Sequence, residues 1–417
     1  MTPSLVPILE VVCVLVPNAW VAARYARIPI GQDLGLWMLW GFTGSVPYRD
    51  HVDCKPPAIH LWGWVLARIT RQSLAWSRAL HHLALGGIAV VVLGVTGSLA
   101  TALLFTGVVQ SARLHAYHAW VEAISGALLA LALVTASWWA AGLAAGAVLF
   151  NLKLAVPALL LLVLQGSWAP AATLISAGVV CLAACRVLWP SAVRDVWYGV
   201  VTVAARLTRL RRERGQGLLP RRDAYHLRPL TLVAPMLVLA SIPEPDPRLW
   251  AVIGSYVLVN GLGRVWRPYH WIPVVACAAV AAPPLALVVV AVDWASDRFY
   301  LGNVLRRTRP ATAELLEAAR VVGETLRATP GTLYVADPNT QIYVYARRRP
   351  AVRLVEQVEI ADVVPERRRG LTTARPPDIL VRGPGSMHLA PRAYRIAFSR
   401  RGFVVATLLP QVEVTPT

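Results

Sequence analysis

Lysine is almost missing from this chain. Of its 41 basic residues only Lys55 and Lys153 are lysines, and all the others are arginine. Charge of either sign is scarce too, at 15% of 417 residues, against 56% hydrophobic residues and a mean hydropathy of +0.53. Such a balance excludes an ordinary soluble globular protein and points to a mainly α, polytopic membrane protein. Acids are the scarcer sign, which leaves a net charge of +19. The arginines sit in short loops and in the last hundred residues, where anionic lipid headgroups account for them. No nucleic-acid-binding motif accompanies them, so nucleic acid is not an expected partner. There are five cysteines. Cys13, Cys181, Cys185 and Cys277 lie in apolar segments and Cys54 in a loop, which implies no disulfide framework. Cys181 and Cys185 share a helix face without a His or acid partner and read as packing residues. The first apolar segment follows neither a basic stretch nor a small-residue cleavage site, so it reads as a retained helix. Internal repeats and low-complexity tracts are absent.

What the chain does have is a series of apolar segments. Hydropathy predicts membrane helices at 4–22, 78–94, 97–110, 121–137, 138–150, 154–165, 169–189, 190–205, 228–242, 248–263 and 270–291, about eleven in all. The Trp-rich segment 57–70 is short and reads as an interfacial helix. Eight arginines from Arg206 to Arg228 mark a cytoplasmic loop. Counting from it places Gly31–Pro57, Glu122, Lys153 and the C-terminal region on the outer face. It places Arg264, Arg267, Tyr269 and His270 on the inner one. The reading is therefore a multi-pass plasma-membrane protein with a transmembrane domain over 1–300 and a small soluble α/β domain over 308–417, outside. In that tail ATAELLEAARVVGETLRAT has helical spacing, while TLYVAD, QIYVYA, DILVRG and YRIAFSRRGFVVATLL read as strands.

The polar residues gather in Gly31–Pro57, GQDLGLWMLWGFTGSVPYRDHVDCKPP. Asp33 opens a Trp-rich helix. It can simply complement the helix dipole, but an ionisable group beside a bilayer also suits a general base for an attacking hydroxyl. In YRDHVD, Arg49 can pair with Asp50 or Asp53 as loop electrostatics, and the two acids can equally orient Lys55 or a metal. Lys55 is fixed by Pro56 and Pro57, which stop any helix through this point, and a fixed ammonium there suits a phosphate. His115, His118 and Glu122 fall on one helix face. That spacing leaves a divalent metal open beside the plainer reading of a headgroup-level helix. Lys153 interrupts a long apolar run, where a charge needs water, a phosphate or an acid.

Together these residues resemble a family. Asp33-x-Gly35, then PYRDHVDCKPP at 47–57, then Arg78, is similar to the first outer loop of the polyprenyl-phosphate-dependent GT-C glycosyltransferases. That family includes the lipid A aminoarabinose transferase and protein O-mannosyltransferase types. Trp120–Glu122 resembles the acid-bearing second outer loop, and GLAAGAVLFNLKLAVPALLLL the lysine-bearing helix. The tail resembles the small α/β domain of many bacterial and archaeal members. Here Leu34 follows Asp33, where many members have Glu or Gln. The resemblance implies a GT-C-like helix bundle and inverting transfer of a sugar from a polyprenyl- or dolichyl-phosphate carrier. The acceptor would be a hydroxyl of a lipid, glycan or protein. Asp33 would be the base, Lys55 and Lys153 would hold the donor phosphate, and Glu122, Asp50 and Asp53 would be supporting acids. A lipid-linked-sugar transporter or flippase, or a membrane scaffold presenting the tail, would use the same charges without catalysis.

Overall fold

The computed structural model describes residues 8–110, 120–135, 138–166, 170–214, 246–263, 270, 272–288, 310–335, 339–351, 354–355, 377–383, 394–400 and 403–408. The expected helix at 228–242 and the candidate ligands His115 and His118 lie outside these residues.

The chain opens with α1 (Ile8–Arg27) and α2 (Gln32–Thr43), then a loop carrying the two-residue strand β1 (His51–Val52). It continues through α3 (Ala58–Ile69), α4 (Leu74–Thr96), α5 (Leu99–Gln110), α6 (Trp120–Val134), α7 (Trp138–Phe150) and α8 (Ala155–Leu164). Next come α9 (Pro170–Leu188), α10 (Ala192–Val196) and, across a π-helical stretch at Trp197–Val203, α11 (Ala204–Glu213). Then follow α12 (Pro247–Gly263) and α13 (Ile272–Ala281). The apolar core joins α4–α8, α12 and α13 through small residues. At Gly126 a Cβ would stand 2.7 Å from Pro273 Cα, so only glycine lets α6 and α13 approach this closely. Against α1 the bundle holds a buried polar knot. Gln110 donates to Asn18 Oδ1 at 2.6 Å and to the His82 carbonyl at 2.8 Å, and Asn18 donates to Thr106 Oγ1 at 3.3 Å. Such groups hold helices together where no water can satisfy them.

Among the described residues, α1 and α4 are long and apolar enough to cross a membrane. A third span forms if the bent pair 175–188 and 192–213 counts as one. Helices α3, α5, α6, α7, α8 and α13 are apolar but short. A twelve-residue helix rises about 18 Å against a hydrocarbon core of about 30 Å, so among the described residues these short helices do not span by length. Exposed apolar side chains such as Val16, Trp20, Val163, Val180 and Val187 are suited to lipid.

Segment 190–205 corrects the expected topology. Pro190 ends α9, and the chain bends by 119° into α10–α11. Leu207 and Val203 then pack on Val52 of the acid loop. At Gly199 a Cβ would lie 2.5 Å from the Asp53 carbonyl oxygen. This segment therefore lies against the loop, and the first arginines, Arg206–Arg214, follow directly from it. A helix apolar on one side and arginine-rich on the other is more stable lying at an interface than spanning it.

The C-terminal region comprises α14 (Pro310–Leu326), β2 (Leu333–Val335), α15 (Gln341–Ala346), β3 (Leu354–Val355), β4 (Ile379–Arg382), β5 (Tyr394–Arg400) and β6 (Phe403–Leu408). Four strands form one sheet in the order β2–β4–β6–β5, parallel between β2 and β4 and antiparallel elsewhere. QIYVYA, expected as a strand, is helix α15. Its β-branched and aromatic residues favour a strand, but five of its six residues are buried, so it meets neighbours on nearly every side and tertiary packing overrides propensity. The region is packed on the helical part of the chain. Leu34, Trp37 and Ile59 share a core with Ala319, Val322, Ile342 and Phe403, and β3 pairs in parallel with β1, His51 opposite Leu354.

Candidate functional site

Helix α2 carries Asp33 in its first turn, at the positive end of the helix dipole, 7% exposed. The helix is held by the C-terminal region. Thr340 Oγ1 donates to the Gln32 carbonyl at 2.6 Å, and the Ile30 amide donates to Tyr345 Oη at 2.8 Å. At Gly35 a Cβ would stand 2.5 Å from the Gln341 nitrogen, so α2 and α15 meet backbone to backbone.

The loop after α2 is wound tightly. Tyr48 is fully buried with a left-handed backbone (φ 60°), a conformation a non-glycine residue keeps only when its surroundings hold it there. Asp50 accepts the Val46 amide at 2.8 Å and pairs with Arg49 at 2.7 Å, so it closes its own turn. Asp53 faces inward at 1% exposure. Its Oδ1 accepts the Lys55 amide at 3.1 Å, and its Oδ2 lies 3.1 Å from Nε2 of His60, which is fully buried. Burial opposes its charge, but His60, the Lys55 amide and the Lys55 ammonium outweigh it and hold the carboxyl below the ordinary carboxylate range. Burial and Asp53 push the Cys54 thiol up to about 11, against the pull of Lys55, Arg211 and Lys153.

Beyond the loop, the Lys55 ammonium reaches Glu122 Oε1 at 3.3 Å. Glu122 opens α6 at 1% exposure, beside Trp120, whose ring stacks on His81 at 3.9 Å. His81 Nδ1 in turn accepts Trp62 Nε1–H at 3.1 Å. His270 also approaches Glu122, with Nε2 3.9 Å from the same Oε1. The Lys153 ammonium sits 3.2 Å from His270 Nε2 and donates to Asn260 Oδ1 at 3.1 Å. Arg211 of α11 lies within electrostatic reach of Lys153 and Cys54. Two lysines thus approach one carboxylate, whose second oxygen is buried without a hydrogen-bond partner, and a guanidinium lies within electrostatic reach of one of them. A buried excess of positive charge is costly in itself and suits an anionic ligand.

The structure brings Lys55, Glu122, Lys153 and Asp53 together, and puts Asp33 at the docking surface of the C-terminal region. His270, expected on the inner face, belongs to this cluster, which corrects the assignment. Asn260, Arg211 and His60 were not singled out in the sequence. Arg211 was hidden by the assumption that arginine runs mark the far face, and His60 by its place in an apolar helix. Among the described residues no group of three or more His, Cys, Asp and Glu side chains is placed to hold a metal.

No family model matches the sequence, and no curated protein sequence is similar to it. The structure is similar to the crystal structure of ArnT from Cupriavidus metallidurans bound to undecaprenyl phosphate. The TM-score is 0.56 at 12% identity, over 97% of this chain and 98% of that one. The chain has the GT-C-like fold of that aminoarabinose transferase.

Proposed function

We propose that the protein is a membrane glycosyltransferase that moves a sugar from a polyprenyl-phosphate carrier to an acceptor hydroxyl. The observation that carries this reading is the gathering of Lys55, Lys153 and Arg211 near the carboxylates of Glu122 and Asp53, three basic groups against two acids. The fold shared with a protein crystallised with undecaprenyl phosphate supports the same ligand class.

In this reading Asp33 takes the proton of the acceptor hydroxyl as its oxygen bonds to the anomeric carbon. The bond from that carbon to the carrier phosphate breaks, and the phosphate leaves with the electron pair. Lys55 and Lys153 hold it, with Arg211 close by. A phosphate leaving group needs little protonation, so one acid acting as base suffices, and a single displacement inverts the sugar centre. Glu122 holds the Lys55 ammonium in place until the phosphate arrives. Asp53 holds the Lys55 backbone, while Asp50 keeps the turn before it closed.

The test is release of free polyprenyl phosphate from a lipid-linked sugar by membranes containing the protein. Release that depends on Lys55 and Asp33 supports the reading. Binding and movement of the intact lipid-linked sugar without release would instead identify a transporter.

A further inference from the structure

We propose that His60 is a positioning residue that holds Lys55 in place through Asp53. The proposal rests on the reading above for the task of Lys55, and on geometry for the rest.

Lys55 is the last residue before two prolines, so its amide is the last backbone donor before Ala58. Both of its backbone polar groups are used. The amide donates to Asp53 Oδ1, and the carbonyl accepts from Tyr48 Oη. These two bonds fix the Lys55 backbone from which its ammonium reaches Glu122. Tyr48 is itself held in a left-handed conformation, which leaves Asp53 as the charged anchor.

A carboxylate at 1% exposure keeps its charge only with partners on both oxygens. Oδ1 has the Lys55 amide. Oδ2 has Nε2 of His60, from the first turn of α3, 3.1 Å away as its ion-pair neighbour. Contact runs from His60 to Asp53 to the Lys55 backbone, and the chain returns through Pro56 and Pro57 to α3. The ring so formed ties the phosphate-facing loop to the helix that it enters. The His60 imidazole is enclosed by the His51 ring at 5.2 Å and the edge of Tyr48 at 5.4 Å, so it has little room to turn away. If His60 only filled space, an aromatic ring of similar size would replace it. If it anchors Asp53, only a residue with a nitrogen donor will do.

The experiment compares His60→Phe, His60→Gln and Asp53→Asn in the full-length protein, with thermal unfolding as a check on folding. Lys55 and Lys153 are the only side-chain amines, so labelling with an amine reagent and mass spectrometry reads Lys55 against Lys153 within one molecule. With His60→Phe we expect the KM for the polyprenyl-phosphate-linked donor to rise about tenfold, the scale on which losing a supporting partner loosens a binding group. Turnover at saturating donor should change by less than about threefold, and Lys55 should label faster relative to Lys153. His60→Gln should return KM and labelling toward the parent. Asp53→Asn, which keeps an acceptor for the Lys55 amide but loses the charge, should resemble His60→Phe. Folded His60→Phe with parental KM and labelling overturns the proposal, as does folded His60→Gln that is no better than His60→Phe. If His60→Phe does not fold, Asp53→Asn with parental labelling overturns it. If the parent releases no polyprenyl phosphate, the functional reading fails, while the labelling comparison still decides whether His60 and Asp53 hold Lys55.

Discussion

The Lys55 ammonium lies 3.3 Å from Glu122 Oε1, a carboxylate 67 residues further along the chain. This contact fastens the loop after α2 to the start of α6. It also puts an ammonium beside the carboxylate oxygen that His270 approaches at 3.9 Å.

Lys55→Ala should weaken binding of undecaprenyl phosphate by roughly ten- to hundredfold, the value of one charge-assisted contact. Lys55→Arg should recover only part of it, because the planar fork cannot occupy the place of a compact ammonium beside Glu122. Binding measured on the purified protein decides this, and parental affinity in both variants would remove Lys55 from the phosphate site.

Asp33→Asn should lower transfer by about 10²–10⁴-fold, roughly 3–5 kcal/mol of barrier, while donor binding stays near the parent's. The amide keeps the shape of the carboxyl but cannot take a proton. Turnover and donor binding are compared side by side. Turnover like the parent's would move the role of base to another acid.

Glu122→Gln should destabilise the folded protein by about 3–5 kcal/mol, because it leaves buried cations without their carboxylate. Undecaprenyl phosphate should then raise the melting temperature of the variant by more than it raises the parent's, since the ligand supplies the missing negative charge. Equal shifts in both proteins would place the ligand elsewhere.

Asp53 gives a signed pH dependence. Its folded-state carboxyl titrates below the ordinary value of about 3.9, so its contribution to stability is complete above that pH and is lost as pH falls through the lower, folded value. Thermal unfolding from pH 6 down to pH 3 should show an acid-side loss that is smaller in Asp53→Asn. An unchanged acid limb in the variant would contradict this.

Gly35→Leu should separate α2 from α15. With 2.5 Å between the new Cβ and the Gln341 nitrogen, the backbones must move apart, at a cost of about 1–3 kcal/mol or more. Faster proteolysis between α13 and α14, together with reduced transfer, is the expected result. Parental transfer in a variant shown to be undocked would mean that the C-terminal region does not position Asp33.

Local chemistry was legible in the sequence wherever it depends on neighbours along the chain. Pro56 and Pro57 stop the loop, apolar runs make α4, α7 and α9, and the spacing in 310–326 makes α14. Two lysines among so many arginines marked both ammonium groups of the cluster. What the sequence left open was decided by contacts between distant segments. QIYVYA became a helix because it is packed on nearly every side. Segment 190–205 became a bend against the acid loop because Pro190 breaks it and Leu207 finds Val52. His270 and Arg211 joined the site because hydropathy gives the order of segments but not which of them lie down or stop short. The sequence by itself determined which residues carry charge and where the chain can turn. Only the tertiary structure determined which charges meet, because a buried ion's partners are set by packing across the fold and not by distance along the chain.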